Sequence, residues 1–150
     1  MARDSYHGNP VPELPKPRPN PVPATQPYWD ALCEDRIVVQ KCAACATWVF
    51  YPRSRCTTCM SEDLLWHEIT GAGRIVTWSV TAQPTAPMFA DETPQIIAIV
   101  ETDERVRMTT TLVVDDPSTL RVGGEVAPVF DHGDDGSTLL RFRPLDGGAR

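Results

Sequence analysis

The spacing of hydrophobic and polar positions changes character along the chain. In "TQPYWDALCEDR", Trp29, Leu32 and Cys33 fall at i, i+3 and i+4, the repeat of one helical face. Thr25 or Gln26 precedes Pro27, and proline suits a first helical turn. This stretch predicts a short helix, with Cys33 as a small buried hydrophobe on its apolar face. "RIVVQ" (36–40) and "TWVFYP" (47–52) then read as strands leading into and out of a cysteine pair, and "DLLWHEIT" as a strand into the second half.

From Gly71 the period becomes two. "GRIVTWSV" sets Val76, Trp78 and Val80 against Ile75, Thr77 and Ser79. "QIIAIVE" (95–101) is apolar on both faces. "RVRMTTTLV" (105–113) sets Val106, Met108, Thr110 and Leu112 against Arg107, Thr109 and Thr111. "EVAPVF" (125–130) and "TLLRFR" (138–143) complete the set. Such alternation at this spacing predicts a small antiparallel barrel or sandwich. Between the third and fourth segments, Asp116 can cap a helix, Pro117 fits its first turn, and Gly123-Gly124 ends it. Five strands with a short helix after the third is the order of an OB-fold, a five-stranded Greek-key barrel.

Residues 1–27 break this patterning, because they hold eight of the 15 prolines. Proline fixes φ and removes backbone donors, so an extended arm is expected there, as a linker or lying across a partner subunit. The reading is mainly β: an N-terminal helix and a small ribbon built around the cysteine pairs, followed by a five-stranded OB-fold barrel. The expected divisions are an arm at 1–27, helix plus ribbon at 28–68, the barrel at 69–145 and a flexible tail at 146–150.

Charge narrows the function. The formal net charge is -6 and the pI about 5.0. Phosphate neutralisation drives nucleic-acid binding, so an acidic chain is a poor general partner for it. A single-stranded nucleic-acid module is therefore the alternative reading rather than the leading one, since ribbons and OB-folds can both bind single strands. No stretch approaches the roughly 20 apolar residues of a membrane span, and the first residues lack a signal-peptide core. A cytoplasmic location is expected, where thiols stay reduced.

In that setting the stretch "KCAACATWVFYPRSRCTTC" carries the chemistry. It holds Cys42, Cys45, Cys56 and Cys59 as two C-x-x-C pairs. Each pair places two thiolates on one side of a tight loop. Two such loops face to face give the tetrahedral four-sulfur set that structural Zn²⁺ takes. With four protein ligands no position is left to activate water, so the expected Zn²⁺ is structural. Iron in the same thiolate set is the competing metal. Ala46 and Met60 stand where zinc knuckles often place glycine. Between Arg36 and Cys59 lie Arg36, Lys41, Arg53 and Arg55 and no acid. These cations either offset the zinc–thiolate centre or form an anion site.

The remaining chemistry is sparse. The sequence holds no G-x-S-x-G, no phosphate-binding glycine loop and no clear carboxylate pair. His7 lies in the arm, His67 reads as structural, and His132 as a solvated turn residue. A chain without an identifiable nucleophile or base reads as an accessory protein, not an enzyme on its own.

Taken together, "YWDALCEDRIVVQKCAACATWVFYPRSRCTTC", "GAGRIVTWSVT", "IIAIVETDERVRMTTTLV" and the closing "LRVGGEVAPVFD" and "LLRFRPL" resemble an acyl-CoA-associated family. In it a rubredoxin-like zinc ribbon is joined to an OB-fold. The resemblance covers about residues 28–145. It implies a hetero-oligomer in which a thiolase-like or acyl-CoA hydratase-like partner carries the catalytic side chains. The ribbon/OB protein would support that partner and help hold an acyl-CoA ligand. Some such partners are thiolases, and others are steroid side-chain aldolases performing a retro-aldol cleavage. On this implication Arg53 and Arg55 would face CoA, with Trp48, Phe50 and Tyr51 as apolar walls or ribbon core.

Overall fold

A computed structural model describes residues 15–145; the expectations for 1–14 and for the tail at 146–150 lie outside the described residues. Within the arm, residues 15–22 form no helix or strand and are largely exposed. Lys16 pairs with Asp91 (3.1 Å) and Glu92 (2.6 Å), and Arg18 with Asp135 (2.9 Å). This stretch is thus tied to its own barrel.

Helix α1 spans Gln26–Cys33, with Pro27 in its first turn. It ends where Asp35 takes φ 56 and the Arg36 amide donates back to Ala31 O. Its buried residues are Ala31 and Leu32, with Tyr28 and Trp29 packed against the core. Cys33 is exposed, contrary to expectation. The buried face is centred on Tyr28 and Leu32, one turn apart, which rotates Cys33 to the rim. There its sulfur lies 3.8 Å from Gly136 O, at the turn of the last hairpin.

The ribbon sheet has the order β2-β1-β3, from β1 (Ile37–Cys42), β2 (Trp48–Val49) and β3 (Leu64–Ile69), all antiparallel. Pairing limits β2 to two residues of the expected 47–52 strand. The barrel sheet has the order β6-β5-β4-β7-β8. Its strands are β4 (Gly73–Thr81), β5 (Gln95–Thr102), β6 (Arg107–Thr111), β7 (Glu125–His132) and β8 (Thr138–Pro144). A parallel bridge between Leu112 and Phe142, with Val113 N–H on Phe142 O at 2.8 Å, closes β6 onto β8. The helix expected after the third barrel strand is a single 3-10 turn, Pro117–Thr119, capped by the Asp116 carboxylate on Ser118 N–H at 2.9 Å. A second 3-10 segment, Pro87–Glu92, lies between β4 and β5.

Alternation in β6 is as expected: Val106, Met108 and Leu112 are buried, and Arg107 and Thr109 exposed. In β4 it is not. Ile75, which the pattern sets against Trp78 and Val80, is buried opposite Val100, on the same face as Trp78 opposite Ala98 and Val80 opposite Ile96. The register against β5 shifts between Ile75 and Thr77, so Val76 is an extra residue that reverses the faces.

One buried cluster joins both halves. Leu32, Ile37, Val39 and Ile69 share it with Ile75, Val100, Met108, Val126 and Phe142. The connection from β3 to β4 is three residues, 70–72. Gly71 at its centre has φ +72, and a Cβ there would lie 2.5 Å from Ile37 Cδ1 and 3.1 Å from Pro128 Cγ. Ribbon and barrel therefore meet without room for a side chain.

Candidate metal centre and ribbon surface

The two knuckles are built by the same backbone device. Ala46 N–H donates to Cys42 O at 2.8 Å, and Met60 N–H to Cys56 O at 3.1 Å. Ala46 and Met60 take φ 60 and 63, the left-handed conformation that glycine adopts with least cost. Both knuckles form the expected turn without glycine. Further bonds, Cys42 N–H to Thr47 O at 2.9 Å and Cys56 N–H to Ser61 O at 2.8 Å, close each loop.

This folding brings all four sulfurs within 4.8 Å of one another. Cys42 Sγ lies 3.6 Å from Cys59 Sγ, and Cys45 Sγ 3.6 Å from Cys56 Sγ. Zn–S bonds of about 2.3 Å in a tetrahedron set sulfur–sulfur edges of roughly 3.8 Å, so the set fits zinc. Among the described residues this is the one cluster of metal-ligating side chains.

The proton chemistry fits as well. Thr47, whose hydroxyl lies 3.2 Å from the sulfur, draws the Cys45 thiol down to about 6. Backbone amides of Cys59 and Thr58 lower Cys56, the latter at 3.4 Å. The Ser61 amide favours the Cys59 thiolate, yet the Cys45, Cys42 and Cys56 sulfurs together push Cys59 up to about 12. Sulfurs this close all carry charge only around a shared cation. When bound, Zn²⁺ supplies that charge and a covalent tie between the knuckles; Cys42, Cys45, Cys56 and Cys59 hold it and leave no open position.

The structure separates the proposed ribbon-surface residues. Trp48 is half-buried, stacked edge-on to His67 (5.9 Å between ring centres) and covered by the Lys41 ammonium at 4.8 Å. Phe50 packs between Tyr28 (5.9 Å) and Tyr51 (4.3 Å). Trp48 and Phe50 both pack against the core, whereas Tyr51 is 52% exposed. Arg55 is paired with Glu62, and Arg36 with Glu34 and Glu68. Arg53 is exposed and makes no ion pair among the described residues, two residues on from the exposed Tyr51.

Sequence reasoning missed Gln40. Buried in β1, its side-chain amide accepts from Arg53 N–H (2.7 Å) and donates to Arg53 O (3.0 Å), pinning the loop that carries Tyr51 and Arg53. The only signal was a glutamine ending an apolar strand. His132 is also more than a turn residue. It ends β7, with its ring between Asp35 Oδ1 (2.9 Å) and Thr138 Oγ1 (3.0 Å). In the barrel, Arg74, Arg105, Arg107 and Arg141 all pair with carboxylates, which weakens a phosphate-binding reading of that surface. No helix among the described residues is long and apolar enough to cross a membrane.

A tetrathiolate ribbon packed on a closed five-stranded barrel defines a zinc-ribbon/OB-fold protein. Residues 29–64 match the family described as "ChsH2, rubredoxin-like zinc ribbon domain", and residues 66–131 match "ChsH2, C-terminal OB-fold domain". A DUF35 domain-containing scaffold protein of Methanothermobacter thermautotrophicus is 36% identical over 69% of this chain and 83% of its own length. The chain belongs to this ChsH2/DUF35 family. A probable enoyl-CoA hydratase alpha subunit of Thermomonospora curvata is 34% identical over 89% of this chain, which spans only 41% of that longer protein. Among solved structures, the Ltp2-ChsH2(DUF35) aldolase superposes with a TM-score of 0.75 at 33% identity, covering 85% of this chain and 98% of the other. A DUF35 protein of unknown function from Sulfolobus solfataricus, at TM-score 0.59 and 16% identity, shares the fold.

Proposed function

We propose that this chain is a non-catalytic accessory subunit for a thiolase-like partner acting on acyl-CoA substrates. The partner we favour is a retro-aldolase of CoA-linked steroid side chains. The observation that carries the reading is the likeness, at 33% identity over nearly the whole of the matched chain, to a ChsH2 component of an aldolase. The closed four-sulfur centre supports it, because it holds structure and offers no site for bond cleavage. The scaffold description of the Methanothermobacter relative points the same way.

In this reading the ribbon loop helps to hold the CoA thioester. Arg53 supplies a free guanidinium for a phosphate and Tyr51 an exposed apolar wall. Trp48 and Phe50 act from behind as packing. Arg55, already paired with Glu62, contributes less.

The test is affinity capture of the full chain from its native lysate, with the captured protein identified by mass spectrometry. Calorimetric titration of the complex with coenzyme A follows. A thiolase-like protein is expected, with CoA affinity reduced by Arg53→Ala. Thioester cleavage by the chain alone, or capture of no acyl-CoA enzyme, would overturn the reading.

A further inference from the structure

Strand β4 is paired along its whole length on one side only. Towards β5 it pairs from Gly73 to Thr81, interrupted only by the bulge at Val76. Towards β7 it pairs only at Gly73 and Arg74, and Ile75 bonds Gly123 and Gly124. Beyond Ile75, no backbone partner lies on this side among the described residues.

The pairing pattern says which groups are left over. Leu112 N–H donates to Ile96 O at 2.8 Å, so Ile96 turns its backbone groups towards β6, and Ala98, two residues on, does likewise. Val80 and Trp78, directly opposite Ile96 and Ala98, therefore direct their N–H and C=O groups away from β5. Water satisfies them in a lone chain, but such an edge is a template for another strand. Natural edges are blunted by lysine, proline or inward charges. Beyond the bulge at Val76, itself an edge device, the sequence Thr77 to Thr81, "TWSVT", has none of these. Val80 is 45% exposed, an apolar side chain in the open beside the free edge.

We propose that this edge binds a second copy of the chain, β4 against β4 about a two-fold axis through Ser79. An antiparallel strand edge is self-complementary under a two-fold, so the same patch serves both copies. With Ser79 opposite Ser79 of the second copy, each Trp78 stands opposite the other copy's Val80. Both residues point their backbone groups outward, so all four N–H groups and all four C=O groups of these residues find partners. Each Trp78 side chain also lies across from a Val80, an aromatic/β-branched cross-strand pair of the favourable kind. No charged side chain falls within the paired segment. A partner of different sequence would satisfy the backbone too; a second copy also supplies this matched Trp–Val pairing twice. The ribbon surface carrying Tyr51 and Arg53 is built on other strands, so self-association is separable from the proposed role in an enzyme complex.

The experiment is sedimentation equilibrium of the full zinc-loaded chain over a range of concentrations. A reversible dimer is expected. Ser79→Lys, at an exposed position, sets two like charges opposite each other and is expected to weaken the dimer by at least about tenfold. Zinc content and circular dichroism confirm that this variant is folded. In a Cys33→Ser background, Ser79→Cys is expected to give a 79–79 intermolecular disulfide, identified by peptide mapping. A chain that stays monomeric at all concentrations, a dimer unaffected by Ser79→Lys, or no 79–79 crosslink would each overturn the proposal.

Discussion

Gln40 holds Arg53 by its main chain: the side-chain amide accepts from the Arg53 N–H at 2.7 Å and donates to its carbonyl at 3.0 Å. A buried side chain here does what a neighbouring strand would do. Gln40→Leu keeps the volume but leaves the loop's donor and acceptor unmatched. A loss of about 1–3 kcal/mol is expected, read by chemical denaturation. Zinc transfer to a chromogenic chelator should also speed up, because the loop joins the two knuckles.

Removing the metal should affect more than the ribbon. Leu32, Ile37 and Val39 lie in the same cluster as barrel residues Val100, Val126 and Phe142. Chelation, or Cys56→Ser, is expected to lower the melting temperature of the whole described unit in a single transition. Structural zinc in small peptides contributes on the order of 10 kcal/mol. Calorimetry with and without chelator checks this; a barrel melting unchanged beside an unfolded ribbon would contradict it.

Gly73 begins β4 against the backbone of β5. A Cβ there would lie 2.4 Å from Glu101 O and 2.8 Å from Thr102 Cα, and neither can swing aside. Gly73→Ala is expected to cost about 1–3 kcal/mol or more in denaturation. Gly123→Ala, with nothing within 4 Å, should lose only the backbone preference of its φ of +81.

Alkaline pH should expose the burial of Tyr28. Desolvation, with a smaller contribution from Tyr51, raises its phenol from 10.0 to about 12. A raised folded value favours the protonated form, so the stabilisation is complete below the unfolded value. It is lost as pH rises from about 10 through about 12. The loss amounts to roughly 2–3 kcal/mol. Tyr28→Phe should flatten this part of the stability profile, followed by denaturant melts at stepped pH.

Acid acts at a different tie. Glu92 is lowered chiefly by its hydrogen bond to Lys16. A lowered carboxylate stabilises above its unfolded value of about 4.5, and that contribution disappears as pH falls through the folded value. Lys16→Met is expected to reduce this acid-side slope, Gln95 and Arg141 keeping part of it, and to increase amide exchange in 15–22, measured by hydrogen–deuterium exchange.

Local pattern carried much of this architecture. The cysteine spacing pointed to the sulfur cluster, because a C-x-x-C knuckle is decided within a few residues. Alternation from Val106 to Leu112 marked both the strand and its buried face. What local pattern missed depended on distant partners. The bulge at Val76 exists only against β5, so an unbroken alternation set Ile75 against Trp78 and Val80 although all three share one face. Cys33 looked buried because helical spacing fixes a face but not its centre, which Tyr28 and Leu32 set by packing. Gln40 read as a polar strand end, since nothing nearby announced the loop that would return to cover it. The union of Ile37 with Pro128 across Gly71 was likewise invisible before the chain was folded.

The tight seat of Gly71 has a mechanical meaning. Three connecting residues and a seam with no space for a methyl group leave no hinge. Whatever grips the knuckle end fixes the bearing of the barrel as well, so the molecule works as a set square and not as two beads on a string.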